Sequence, residues 1–113
     1  MILIEEPIAL KQLSQQVQTG FSDLIKIVVD TENEIIAADA ELHADLEELL
    51  LSKGSGQEFL WGANLYPTKS GDDFIEYTAF INIRPALNNC SMEIEDDEIR
   101  QKVKYIINNL ILV

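Results

Sequence analysis

Apolar positions fall into short runs whose period changes along the chain. Met1–Ile4 suits an edge strand. Ile8, Leu10, Leu13 and Val17 then give a loose helical stripe to about Gln18, with Pro7 in its first turn and Gly20 ending it. Leu24–Asp30 is rich in β-branched residues, and Glu34–Ala38 reads as its hairpin partner across Thr31-Glu32-Asn33. Asp39 is placed as the N-cap of a helix in which Leu42, Leu46, Leu49 and Leu50 form one stripe, stopped at Gly54. Glu58–Tyr66 and Asp73–Arg84 predict two further strands. The second alternates Ile75, Tyr77, Ala79, Ile81 and Ile83 against Glu76, Thr78, Asn82 and Arg84 until Pro85. Trp61 shares a phase with Ala63 and Leu65 and is expected in the core, while Gly62 marks a bulge or a close approach of another backbone. A closing helix spans Asp96–Leu110, with Ile99, Val103, Ile106, Ile107 and Leu110 on its apolar face.

This order predicts a single α+β domain over residues 1–113. Its sheet is mainly antiparallel, with four or five strands and three helices on one face. The first six elements follow the split βαβ order of ferredoxin-like folds. Strand directions carry Arg84 back towards Asp30 and Glu34, and leave Tyr66 near the helix that bears His43. The remaining sheet face, with Glu76, Asn82, Arg84, Asn64 and Lys26, is expected to be half polar and open to a ligand, solvent or a second copy.

Composition narrows the functions more than the fold. Hydrophobic residues, at 47%, are enough for a packed core. The net charge of -12, from 8 basic and 20 acidic residues, disfavours nucleic-acid and anionic-membrane partners. One cysteine, Cys90, rules out an intramolecular disulfide and suits the cytoplasm. The N-terminus has no basic leader, and no apolar run approaches the roughly 20 residues that span a bilayer.

Candidate chemistry gathers around the single histidine. Six carboxylates between Asp30 and Asp45 surround His43. Asp30, Glu32, Glu34 and Glu41 match acidic positions of an EF-hand loop, yet Ile35 stands where that loop needs glycine. A strand through Glu34–Ala38 also separates the run into a hairpin tip and a helix start. At the helix start, Asp39, His43 and Glu47 share an i, i+4, i+8 spacing, which could hold a divalent metal or tune a general base. Arg84, Asn82 and Asn64 are the candidates for holding a small anion.

Lys26-Ile-Val-Val-Asp30, Glu41-Leu-His-Ala-Asp45, Trp61-Gly-Ala-Asn-Leu-Tyr-Pro67, Ile81-Asn-Ile-Arg-Pro85 and Ser91-Met-Glu-Ile-Glu-Asp96 occur together. Their joint pattern resembles a small bacterial family of single-domain proteins of unknown function. The resemblance implies no activity and transfers no catalytic residue. The residues themselves lead to a cytoplasmic, non-catalytic interaction or binding module acting as a homodimer. A small metal-assisted hydrolase centred on His43 and an anion sensor using Arg84 are the alternatives.

Overall fold

A computed structural model describes residues 1–20 and 23–113. The strands are β1 (Ile2–Ile4), β2 (Ile8–Ala9), β3 (Ile25–Asp30), β4 (Ile35–Ala38), β5 (Leu60–Leu65), β6 (Ile75–Glu76) and β7 (Ile111–Leu112). The helices are α1 (Leu10–Gln16), α2 (His43–Ser52) and α3 (Asp97–Leu110). Five strands form an antiparallel sheet in the order β1-β4-β3-β5-β6, while β2 and β7 make a separate parallel pair. The fold class is α+β, as the sequence predicts. Among the described residues no helix is long and apolar enough to cross a membrane.

Strand order decides where the helices go. β4 lies between β1 and β3, and β3 lies between β4 and β5, so two split βαβ units are present. In the ferredoxin-like order the last of these strands would sit beyond β1, whereas here β5 sits beyond β3. Both crossovers therefore step the same way across the sheet, although their strands run in opposite directions. Right-handed connections then put α1 and α2 on opposite faces. The three helices do not share one face.

Packing follows that division. Ile25, Ile27, Val29, Ile36, Trp61, Ala63 and Leu65 cover one face and pack with Leu13 of α1 and Val103, Ile106, Ile107 and Leu110 of α3. Val28, Ala37 and Leu60 cover the other and pack with Leu46 and Leu50 of α2. Strand alternation thus feeds two cores, and the face expected to be open lies beneath α2.

Several local expectations need correction. Pro7 precedes the short strand β2 and lies outside α1, which ends at Gln16. Asp39 does not cap α2: it has φ 71, and its carboxylate accepts the Gln18 and Thr19 N–H groups. It ties the chain after α1 to the end of β4. Asp96, by contrast, caps α3 by accepting from Glu98 and Ile99. The long strand Asp73–Arg84 shortens to β6, followed by a bridge at Thr78 and a 3-10 turn over Phe80–Asn82.

Asn82 explains that shortening. Its side-chain amide accepts the Gly62 N–H and donates to the Gly62 and Met92 carbonyls, taking the place of a backbone ladder. Gly62 permits the approach: a Cβ there would lie 2.5 Å from the Ala79 Cβ. The turn leaves Phe80 and Ile83 pointing outwards, at 77% and 44% exposure.

Candidate functional site

The α2 side of the sheet carries the polar residues that the sequence singles out. Register pairs Lys26 with Asn64 and Asn64 with Glu76, so three strands each place one polar residue along one line. His43, the first residue of α2, stands over this line, and its Nε2 lies 2.9 Å from the Ala63 carbonyl oxygen. That oxygen can only accept, so Nε2 carries the proton and the neutral ring keeps its lone pair on Nδ1. Burial holds the His43 pKa below its ordinary value, and Lys26 pushes the same way, against the Ala63 hydrogen bond.

Asn64 donates to the Glu76 carboxylate at 2.8 Å and to the Thr78 carbonyl at 3.3 Å. Both partners are acceptors, which fixes the amide with Oδ1 turned away from them. Oδ1 is buried without a hydrogen-bond partner among the described residues. Glu76 also accepts the Tyr66 hydroxyl at 2.9 Å, and this bond to a carboxylate is the main cause of the raised Tyr66 pKa. Lys26 Nζ donates to the Glu41 carbonyl.

The metal candidates are not brought together. Asp39 serves the Gln18–Thr19 backbone, and Glu47 forms a 2.7 Å ion pair with Arg84. Among the described residues no group of three or more His, Cys, Asp and Glu side chains is placed to hold a metal. The anion candidates are engaged in the same way. Arg84 reaches the hairpin end of the sheet, as strand direction predicts, since it donates to the carbonyl of Leu60, the partner of Asp30. Its carboxylate is Glu47, however, and not Asp30 or Glu34; its guanidinium also lies 5.2 Å from the Trp61 ring centroid. Asn82 holds Gly62, and Asn64 holds Glu76.

A cleft of about 540 Å³ opens beyond β6, between the segment before it and α3. Sequence reasoning missed it, because its walls come from four separate stretches of the chain, around residues 66–73, 75–77, 93 and 100–104. Lys69, Arg100 and Lys104 line it, three of the eight basic residues in the chain. Asp72, Asp73, Glu76 and Glu93 line it too, with the side chains of Tyr66 and Tyr77. Lys69 lies over the Tyr66 ring at 4.7 Å, and Arg100 over the Tyr77 ring at 5.0 Å. The one signal that could have pointed to it is the i, i+4 spacing of Arg100 and Lys104 on α3.

The model of a family described as protein of unknown function (DUF5674) matches residues 2–110. The chain belongs to that family. The match spans nearly all of the DUF5674 chain, including both the α2 side and the cleft. No curated protein and no solved structure was matched by this DUF5674 chain.

Proposed function

We propose that this DUF5674 protein is a non-catalytic binding module of the cytoplasm whose ligand seat is the cleft between β6 and α3. The observation that carries the reading is the concentration of basic residues there. A chain of net charge -12 brings three of its eight cations to one concavity, beside two tyrosine rings. The volume lies within the range of small-molecule sites. The residues around His43, in contrast, bond mainly to one another and to the backbone. The single cysteine, exposed and unpaired, suits a reducing compartment.

A thermal-shift screen of small polar compounds on the full chain tests the reading. Compounds that raise the melting temperature are expected to lose that effect in Lys104→Glu. Stabilisation that survives this substitution undiminished would count against the cleft.

Homodimerisation is a second reading, on different ground from the open sheet face, which α2 covers. Phe80 opens the 3-10 turn Phe80–Asn82 and Ile83 directly follows it, and both are exposed apolar side chains. Light scattering is expected to give a dimer that Phe80→Ser converts to monomer. A monomeric native chain at high concentration would refute it.

A further inference from the structure

We propose that the ligand of the cleft is a zwitterion of about dipeptide size, bound through one ammonium and one carboxylate. This inference rests on the reading of the cleft as the binding site and specifies its chemistry.

The charge balance of the walls excludes the simpler ligands. Three cations face four carboxylates within one cavity. A polyanion would meet Asp72, Asp73 and Glu93, and a polyamine would meet Lys69, Arg100 and Lys104. A ligand carrying both signs can satisfy the groups that the protein itself leaves unpaired.

Those groups can be identified. Glu76 already accepts from Asn64 and Tyr66. Arg100 donates Nε and Nη2 to the Ile94 carbonyl and its Nη2 lies 3.8 Å from the Glu93 carboxylate, which fixes the guanidinium against Tyr77 and leaves Nη1 without a partner among the described residues. Lys104 has no partner among the described residues, and it lies one helical turn from Arg100. Together they offer a carboxylate two donors from one helix face. Asp72 and Asp73, in the 3-10 turn Gly71–Asp73, accept no side-chain hydrogen bond among the described residues and offer an ammonium its seat. Ile75 and the Tyr77 ring supply apolar lining for the body of such a ligand.

The test is an amide chemical-shift titration of the full chain with five probes: dialanine, N-acetyl-dialanine, dialanine amide, inorganic phosphate and putrescine. Dialanine is expected to shift amides in 69–77 and 100–104 saturably. Blocking either terminus should weaken binding at least about five-fold, the scale of one charge-assisted hydrogen bond. Lys104→Gln should weaken dialanine by a similar factor and leave the amide form unchanged, because that form has no carboxylate to lose. Equal binding of blocked and unblocked forms would overturn the zwitterion. So would phosphate or putrescine binding at these amides as tightly as dialanine. Either result would leave the cleft as the binding site. No saturable shift at these amides with any probe would overturn the cleft reading as well.

Discussion

The polar residues beneath α2 and those lining the cleft share one edge of the sheet and do opposite things with their hydrogen-bonding capacity. Beneath α2, Arg84, Glu47, Asn82 and His43 are each committed to a partner within the protein. In the cleft, Lys104, Asp72 and part of Arg100 are left uncommitted among the described residues. Glu76 marks the border, since it bonds Asn64 on one side and lines the cleft on the other. Conspicuous residue types therefore went to holding the fold, and ordinary surface residues were left available for a ligand. A buried polar group without a partner is costly, whereas an exposed charge needs none.

The sharpest way to probe that contrast is to remove its most committed member. Asn82→Ala strands the Gly62 N–H and O and removes one of two donors from the Met92 carbonyl, which keeps the Ala79 N–H, and is expected to cost about 3 kcal/mol in urea unfolding. Gly62→Ala should follow at about 2 kcal/mol, because the new Cβ meets an Ala79 Cβ that is anchored to the backbone. Arg84→Gln should cost about 1.5 kcal/mol by leaving Glu47 unpaired, since the two side chains are only 12% and 14% exposed.

His43 sharpens the contrast through pH. Its pKa in the folded chain is lowered, so the unfolded chain binds the proton more readily. Its contribution is complete above its ordinary value of 6.5 and is lost as pH falls through the lowered folded value. Melting temperature measured across that window should fall less steeply in His43→Gln. Asp30 acts lower on the scale. Burial raises its pKa, but hydrogen bonds from Ser55, Asn33 and Glu32 outweigh that and leave it below 3.8. Its contribution is therefore lost only as pH falls below its ordinary range, and the two windows can be read separately.

Elements with a strong local period were legible in the sequence. The stripe of α3 and the β3–β4 hairpin match the structure closely. Gly62 was legible as a site of close approach, and the geometry at Ala79 bears this out. Asp73–Arg84 misled because its alternation is real but is overridden by a tertiary contact, the Asn82 amide on Gly62. The face assignment failed for a topological reason: the same element order allows two strand orders, and only one puts α1 and α2 together. Asp39 illustrates the limit of capping logic, since an aspartate just before a helical stripe can equally cap a loop from an earlier element. The cleft was illegible because Lys69 and Lys104 are far apart in sequence and meet only when the segment before β6 folds against α3.

Side-by-side urea unfolding of Asn82→Ala and Lys69→Gln/Lys104→Gln tests the division of labour most directly. The account predicts that Asn82→Ala loses about 3 kcal/mol, while the cleft variant stays within about 0.5 kcal/mol of the native chain. A cleft variant as destabilised as Asn82→Ala would contradict it, because the cleft cations would then be part of what holds the fold together.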